Sequence, residues 1–318
     1  MKQILVIGSG NFGTALSQVL AANCKVSLLT RRQEIYDSIR NVGENQLYFP
    51  GIKLHKNISV IQNYPCFDDY QYIIFAIPSS SILSEFKAIE HQLSGQMVIN
   101  TAKGFTESGQ TFLTAIKKRY TRCISLLGPT FASDLIRGGY SGLTVACESE
   151  SEYLGVVDLF SKTAIKLDYS LNYKLIETAS VTKNVFAIAM GIFDALDRIG
   201  VNTKFLILTQ CLKETRLILD LFNPTTKDYV LYATIGDMLL TSLNDQSRNR
   251  TFGMLIGKGF YDHKVQHSAV LLEGARSVKF IHTLCIENQL DCPIVSFVIR
   301  VLEGDTVYAA YQKCIDSF

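Results

Sequence analysis

The 318-residue chain lacks several features that would place it in a specialised class of protein. It has only six prolines and 21 glycines, which excludes collagen-like and proline-rich proteins. Charged residues make up 19% and hydrophobic residues 47%, which excludes an intrinsically disordered chain. Positive and negative charges nearly cancel, leaving a net charge of +2, so the composition does not favour binding to nucleic acid or to an acidic membrane surface.

Two kinds of segment are also missing. No apolar run reaches the ~18 residues of a membrane-spanning helix, and the apolar run near the N-terminus is too short for a signal peptide. None of the eight cysteines forms a CxxC pair, the spacing typical of zinc and redox motifs. We therefore expect a cytoplasmic protein with reduced, mostly buried thiols.

Strand-like and helix-like segments alternate in the first half of the chain. Short apolar runs predict buried strands at Ile4–Ile7, Lys25–Leu29, Tyr72–Ile77, Met97–Ile99, Cys123–Leu127 and Leu143–Cys147. This alternation is typical of an α/β fold with a doubly wound, mostly parallel sheet of the Rossmann type. After about residue 175 the pattern becomes helical, with helices predicted over Glu177–Asp197 and residues 204–222. We expect two domains, residues 1–175 and an all-helical domain over residues 176–318.

A glycine motif links the first predicted strand to the helix that follows it. The motif G-x-G-x-x-G consists of Gly8, Ser9, Gly10, Asn11, Phe12 and Gly13. In this setting the first glycine permits a tight turn, the second lets a pyrophosphate approach the backbone, and the third lets the helix pack closely on the sheet. The motif predicts dinucleotide binding through free N–H groups at the start of the helix.

The end of the second strand bears on the choice of cofactor. NAD-preferring sites usually place a carboxylate there, whereas this chain has Arg31 and Arg32. An arginine can bind the 2′-phosphate of NADP. We therefore favour NADP(H) as the cofactor, although Glu34 lies close enough to leave NAD(H) possible.

A helix start is predicted farther along the chain, where Ser79 to Ser81 are expected to cap the helix that follows Pro78.

Seven further segments occur in the order found in one enzyme family. They are Asn45–Gly51 (NQLYFPG), Ala76–Ser79 (AIPS), Lys103–Phe105 (KGF), Gly128–Ala132 (GPTFA), Lys183–Ile188 (KNVFAI), Gly236–Thr241 (GDMLLT) and Ser247–Arg250 (SRNR). Together with the glycine motif, they closely resemble the bacterial-type NAD(P)-dependent sn-glycerol-3-phosphate dehydrogenases. The resemblance extends from Ile4 past Glu273.

The resemblance implies reversible hydride transfer between NAD(P)H and dihydroxyacetone phosphate, giving sn-glycerol 3-phosphate for phospholipid synthesis. It implies an N-terminal Rossmann domain, a helical substrate domain, and a site between them in which Lys183 is the general acid or base. The residues around the substrate would be Lys103, Gly128, Thr130, Lys183, Asp237, Ser247, Arg248 and Asn249. The further residues touching the cofactor would be Pro78, Lys103, Ala132, Arg248 and Glu273. A homodimer is plausible for a helical second domain.

The residue types suit this chemistry. Lys183 lies in an apolar segment, where a lysine is costly without a purpose, and it would stabilise charge that develops on a carbonyl oxygen. Asn184 and Asn202 would hold the lysine or bind substrate hydroxyls, and they are equally compatible with hydrogen bonds at helix ends. Arg248 offers a planar fork to phosphate, and Arg250 is expected to face solvent more than Arg248 does.

His263 and His267 share a helical spacing but lack the glutamate of a metalloprotease motif, so no metal is expected.

Two alternatives stay open beside the main interpretation. One is a related dehydrogenase of another small phosphorylated or 2-hydroxy substrate. The other is a catalytically inactive NADP-binding sensor, because Phe12 stands where the family often has Trp or Tyr, and Asn172 stands where it usually has Asp.

Overall fold

The chain forms two compact units in a computed structural model, which describes residues 1–106, 109–196, 199–261 and 269–318. The first unit is Met1–Lys174 and the second is Leu175–Phe318. The functional roles expected for the two halves stay a prediction.

The first unit is built on one eight-stranded sheet. The strands are Lys2–Ile7 (β1), Cys24–Leu29 (β2), Ile58–Ile61 (β3), Tyr72–Phe75 (β4), Met97–Asn100 (β5), Cys123–Leu127 (β6), Ser141–Ala146 (β7) and Ile165–Ser170 (β8). Their order is β3-β2-β1-β4-β5-β6-β7-β8, and all neighbours pair in parallel except β6 and β7. The order 3-2-1-4-5-6 is that of a dinucleotide-binding sheet, which confirms the predicted fold class.

Helices cover both faces of this sheet. They are Asn11–Leu20 (α1), Gln33–Val42 (α2), Ser79–Ile89 (α3), Phe112–Ile116 (α4), Ala132–Leu135 (α5) and Glu150–Val157 (α6). Alternate residues of β1 enter two separate cores: Ile4 and Val6 belong to the core that contains Leu16 of α1, and Leu5 to the core that contains Phe86 of α3. The near-continuous apolar sequence of β1 follows from this burial on both faces.

Two details differ from the sequence-based predictions. The predicted strands correspond to β1, β2, β4, β5, β6 and β7, whereas β3 and β8 were missed. These two strands are the edges of the sheet. The helix α3 begins at Ser79 after Pro78, which has no side-chain cap, so the predicted capping by Ser79 to Ser81 is wrong. Proline fixes an extended backbone at that position and leaves the serines inside the first turn.

The second unit is helical throughout its described residues. Its helices are Tyr173–Asp194 (α7, which starts in the last two residues of the first unit), Val201–Asp220 (α8), Asp237–Leu243 (α9), Arg248–Gly257 (α10), Ala269–Glu287 (α11), Pro293–Leu302 (α12) and Val307–Ile315 (α13). By length and composition, α7 could cross a membrane. Its apolar window is entirely buried in the protein, as is typical of a core helix.

Backbone contact joins α7 to α10. A Cβ atom on Gly191 would lie 2.1 Å from the carbonyl oxygen of Arg250, and one on Gly253 would lie 2.0 Å from that of Ile188. Only glycine permits so close an approach of two helices. This contact holds the N-terminal half of α10 against the last two turns of α7.

All eight cysteines have free thiols. Seven of them are buried, and Cys66 is exposed. The prediction of mostly buried thiols is confirmed, because these side chains contribute to the apolar interiors of both units.

Candidate active site

The glycine motif forms the turn between β1 and α1. A Cβ atom on Gly8 would lie 2.5 Å from the carbonyl oxygen of Ala76, and one on Gly13 would lie 1.9 Å from that of Gly8. A Cβ atom on Gly10 would meet nothing within 4 Å. Gly8 and Gly13 are therefore required by the packing of the protein itself, whereas Gly10 leaves space beside the backbone. Space at the second glycine, at the start of a helix, fits the pyrophosphate of a dinucleotide.

Side chains behind the turn hold it in shape. The hydroxyl of Ser9 is buried and donates to Oγ1 of Thr30, 2.7 Å away. The amide of Asn45 is also buried, and its nitrogen donates to the carbonyl oxygen of Ser9 and to the hydroxyl of Thr14, each at 2.9 Å. Asn45 and Thr14 were not singled out from the sequence, although Asn45 begins one of the family segments. Ser9 thus supports the loop through its side chain.

The other residues of this loop and of the second strand reach the surface to different extents. Asn11 is exposed, and Phe12 is half-buried against the core beneath α1. Arg31 and Arg32 are both exposed just after β2. Nη2 of Arg31 donates to both carboxylate oxygens of Glu85, a contact that the sequence did not predict.

Further candidate residues follow β4, β5 and β6, at the edge where the carboxyl ends of these parallel strands lie. Lys103 follows β5, and its Nζ donates to the carbonyl oxygen of Gly128, 2.7 Å away, after β6. The hydroxyl of Thr130 donates to the same carbonyl oxygen at 3.4 Å. Pro78 is exposed after β4, and Ala132 is half-buried at the start of α5. Ligands of open parallel sheets bind at this edge.

Lys183 is the centre of a buried polar cluster in the second unit. Its side chain is 6% exposed, and Nζ donates to Oδ1 of Asp237 and to Oγ1 of Thr241, each at 2.8 Å. The Asp237 side chain is 1% exposed. The Thr241 hydroxyl in turn donates to the backbone carbonyl of Asp237, 2.6 Å away, so its lone pairs are directed to the lysine. The sequence predicted Lys183 and Asp237 but not the part taken by Thr241.

The local fold explains why Asp237 lies there. A π-helical turn over Tyr232–Gly236 leads directly into α9, whose first residue is Asp237. Asp237 and Thr241 are four residues apart on α9, so both lie on one face of the helix. π turns widen a helix locally and are frequent at functional sites.

The Ser-Arg-Asn-Arg segment starts α10. The hydroxyl of Ser247 accepts from the backbone N–H of Arg250 at 3.3 Å and caps the helix. Nδ2 of Asn249 donates to Oδ1 of Asn184, 2.8 Å away on α7. Arg248 is exposed beside them on the first turn. The segment therefore lies next to the turn of α7 that carries Lys183.

The expectation that Arg250 faces solvent is wrong. Arg250 is buried and forms ion pairs with Asp194 and Asp245. Ser247 sets the start of α10, and Arg250 lies two residues after Arg248, on a different side of the helix. Asn202 is exposed on the first turn of α8, whereas Asn184 is buried.

Three candidate residues lie wholly or partly outside the part of the chain that the structure describes. His263 and His267 are not among the described residues, nor is the side chain of Glu273, which belongs to α11. Among the residues that the structure describes, no group of three or more His, Cys, Asp or Glu side chains is placed to hold a metal ion.

Comparison with known proteins identifies the family on both halves of the chain. A model described as the NAD-dependent glycerol-3-phosphate dehydrogenase N-terminus matches residues 3–153, and one described as the C-terminus matches residues 173–311. A glycerol-3-phosphate dehydrogenase (NAD(P)+) of Methanothermobacter thermautotrophicus is 32% identical over 305 residues, which cover 94% of this chain and 93% of that protein. One of Orientia tsutsugamushi is 28% identical and covers 98% and 97%.

Solved structures agree in fold. The crystal structure of glycerol-3-phosphate dehydrogenase from Coxiella burnetii superposes with a TM-score of 0.87, covers 99% of each chain, and is 22% identical. A probable 2-dehydropantoate 2-reductase from Bacillus subtilis gives a TM-score of 0.60 at 13% identity, covering 95% of this chain and 99% of its own. These likenesses show a shared fold, and the family models confirm the resemblance expected from the sequence motifs. The chain belongs to the NAD-dependent glycerol-3-phosphate dehydrogenase family.

Proposed function

We propose that this chain is an NAD(P)-dependent sn-glycerol-3-phosphate dehydrogenase that reversibly reduces dihydroxyacetone phosphate and so supplies phospholipid synthesis. The observation that carries the proposal is the buried cluster of Lys183, Asp237 and Thr241, in the part of the chain that matches the family's C-terminal model. The names of the relatives support the same activity.

Reduction of the ketone places negative charge on its carbonyl oxygen. The nicotinamide, when bound, supplies or accepts the hydride. Lys183 is the group proposed to stabilise the developing charge and to donate the proton, and in the reverse direction to remove it. Asp237 and Thr241 each accept one N–H of the ammonium and so fix its direction before substrate binds.

The substrate's phosphate needs a cation and neutral donors. Arg248 is proposed as its anchor, because it is exposed at the start of α10 and its guanidinium matches phosphate geometry. Asn249 is fixed beside it by the hydrogen bond to Asn184, and Ser247 holds the helix start. The proposed substrate residues are completed by Gly128 and by Lys103 and Thr130, which both donate to its carbonyl oxygen.

The dinucleotide is assigned to the glycine motif, because Gly10 leaves space for a pyrophosphate where the other two glycines do not. Arg31 is proposed to bind the 2′-phosphate of NADP(H), since its guanidinium is exposed at the end of β2. The remaining proposed cofactor contacts are Ser9, Asn11, Phe12, Arg32, Pro78, Lys103, Ala132, Arg248 and Glu273. NADH remains a usable cofactor in this proposal. A cytoplasmic location and a homodimer stay predictions.

The test is a matrix of cofactors and substrates. Purified protein is expected to oxidise NADPH, and NADH less well, when dihydroxyacetone phosphate is added. Lys183→Met should lower kcat by about 10²–10⁴-fold, the usual contribution of a positioned acid–base group, while NADPH binding changes little. Lys213→Met, at an exposed lysine on α8, is the matched control and should behave as the wild type.

Two results would contradict the proposal. One is wild-type turnover in the Lys183→Met variant, which would remove the lysine from the mechanism. The other is a faster reaction with a non-phosphorylated ketone, which would point to a different substrate class and away from Arg248 as the anchor.

A further inference from the structure

A buried carboxylate holds Arg31 in the first unit. Arg31 follows β2, and Glu85 lies on α3. Nη2 of Arg31 donates to the two carboxylate oxygens at 2.7 and 2.5 Å. The hydroxyl of Tyr64, in the segment after β3, donates to Oε1 of the same carboxylate. Three segments that are distant in sequence therefore meet at one glutamate.

The two members of the ion pair differ greatly in exposure. The Glu85 side chain is 9% exposed, whereas the Arg31 side chain is 76% exposed. A buried carboxylate is costly unless its oxygens are hydrogen-bonded, and here both oxygens accept bonds. The glutamate is thus the fixed member of the pair, and the arginine extends from it toward solvent.

The contact leaves much of the guanidinium available. Within the described residues, the hydrogen bonds of Arg31 use only Nη2. The N–H group of Nε and the two N–H groups of Nη1 take no part in these bonds and can donate to phosphate oxygens.

Tyr64 keeps the glutamate in place. Its ring packs against Phe67 with 5.7 Å between centroids. Burial raises the pKa of its hydroxyl, and the hydrogen bond to Glu85 raises it further, so the phenol remains a donor at neutral pH.

We propose that Glu85 is a positioning residue that sets the preference between the two cofactors. It fixes Arg31 at the end of β2, and its negative charge offsets part of the attraction between Arg31 and a 2′-phosphate. The inference rests on the proposed role of Arg31 in binding the adenosine end of NADP(H).

The effect follows from Coulomb's law. A carboxylate beside the guanidinium repels a phosphate that the guanidinium attracts, so the pair binds the phosphate more weakly than a lone arginine held in the same position. A cofactor without the 2′-phosphate is largely indifferent to that charge. Glu85 therefore reduces the difference in binding affinity between NADPH and NADH, so that the enzyme can use both cofactors.

The test measures binding of two probes that carry no nicotinamide. Adenosine 2′,5′-bisphosphate and 5′-AMP differ only in the 2′-phosphate, and calorimetric titration of the intact protein gives a Kd for each. Glu85→Gln keeps an oxygen to accept from Nη2 and from Tyr64 but removes the charge. It should raise the preference for the bisphosphate over AMP by about tenfold. NADPH and NADH should show the same direction of change.

A double-variant comparison separates this effect from a general loss of structure. Arg31→Ala should reduce the preference for the bisphosphate, and adding Glu85→Gln in that background should change it less than about twofold. Glu90→Gln is the matched control, because Glu90 directly follows α3 and pairs with Arg119 at 3.0 Å instead of with Arg31. It should leave the preference unchanged. Glu85→Ala, which removes the same charge with a smaller side chain, should shift the preference in the same direction as Glu85→Gln.

Each outcome has a defined meaning. An unchanged or lower preference in both Glu85 variants overturns the inference, and so does an equal rise in Glu90→Gln. A rise from Glu85→Gln that persists without Arg31 also overturns it, because the glutamate would then act independently of the arginine. If Arg31→Ala itself leaves the preference unchanged, the proposed role of Arg31 fails first, whatever the Glu85 variants do.

Discussion

The first unit offers Gly10 and Arg31 at the ends of strands, as open backbone and an exposed side chain, whereas the second unit buries its candidate acid–base group, Lys183, among helices. Gly10 and Arg31 illustrate the first arrangement, since one leaves open space and the other is largely exposed. Lys183 and Asp237 illustrate the second, since both are buried and bonded to each other. The carboxyl ends of parallel strands can receive a large ligand because the hydrogen-bonded sheet ends there and leaves a crevice between the loops. Buried side chains instead keep a reactive group in one direction.

If this contrast holds, the largest loss of stability should come from breaking the buried ion pair of the second unit. Asp237→Ala leaves the Lys183 ammonium buried without its carboxylate, which should lower the free energy of unfolding by roughly 3–5 kcal/mol. The variant Lys183→Met/Asp237→Ala should be more stable than Asp237→Ala alone, because the orphaned charge is gone. Urea unfolding of the two single variants and the double variant measures this coupling. A cost below about 1 kcal/mol for Asp237→Ala would show that water or another group replaces the carboxylate.

A second buried carboxylate of the helical unit sharpens the contrast, because no cation among the described residues is bonded to it. Glu214 on α8 accepts from the backbone N–H groups of Ile294 and Val295, at 2.8 and 3.1 Å, at the start of α12. Burial raises its pKa from 4.5 to about 7, although the backbone hydrogen bonds oppose this. The protonated form is therefore favoured in the folded state. Its contribution to stability is complete below pH 4.5 and is lost as the pH rises to about 7.

Glu214→Gln imitates the protonated form and should remove this dependence. Between pH 4.5 and 7 the stability of the wild type should fall relative to the variant by about 3 kcal/mol. Urea unfolding at several pH values provides the measurement, with Glu287→Gln at an exposed position of α11 as the control. Parallel pH profiles for the wild type and Glu214→Gln would contradict the shifted pKa.

The glycine motif provides a paired test within the first unit. Gly13→Ala places a Cβ atom 1.9 Å from the carbonyl oxygen of Gly8 and should lower stability by about 1–3 kcal/mol. Gly10→Ala meets no protein atom within 4 Å and should leave stability near that of the wild type while weakening NADPH binding about tenfold. Thermal unfolding and calorimetric titration separate the two effects. Equal losses of stability in the two variants would mean that the second glycine also serves the fold.

The smallest expected effect concerns the hydroxyl beside the lysine. Thr241→Val removes an acceptor for Nζ of Lys183 at nearly constant volume and should cost about 1 kcal/mol of stability. Thr241→Ser keeps the hydroxyl and should restore most of that loss. Turnover should follow the same order, because the hydroxyl fixes the direction of the ammonium. If Thr241→Val turns over as fast as the wild type, Asp237 alone is enough to hold the lysine.

The sequence predicted the interior of the sheet better than its edges. The central strands are buried on both faces, so each appears as a continuous apolar run such as Ile4–Ile7. The missed strands β3 and β8 each pair on one side only, and β8 includes Lys166 and Asp168. An edge strand that is partly exposed to solvent includes polar residues, so its sequence lacks a long continuous apolar run.

The candidate site shows a similar limit. Lys183 was identifiable because burying a lysine in an apolar helix is energetically costly unless its charge has a function or a partner. The contact with Asp237 spans 54 residues, and periodicity along the chain does not encode it. The wrong prediction of which arginine is exposed, Arg248 or Arg250, has a local cause. The side of α10 on which each residue lies depends on where the helix begins, and the cap formed by Ser247 sets that start. Boundaries of short helices are poorly fixed by sequence patterns.

The distribution of buried and exposed thiols makes thiol reactivity a measure of unfolding in this chain. Because Cys66 is the exposed cysteine and the other seven are enclosed, a colourless aromatic disulfide reagent should react rapidly with one sulfur in the native protein. In denaturant the same reagent should react with all eight thiols. The stoichiometry of the reaction therefore reports how many of the seven buried thiols have become accessible, with no added label. In a Cys66→Ser variant, the native protein should not react rapidly with the reagent.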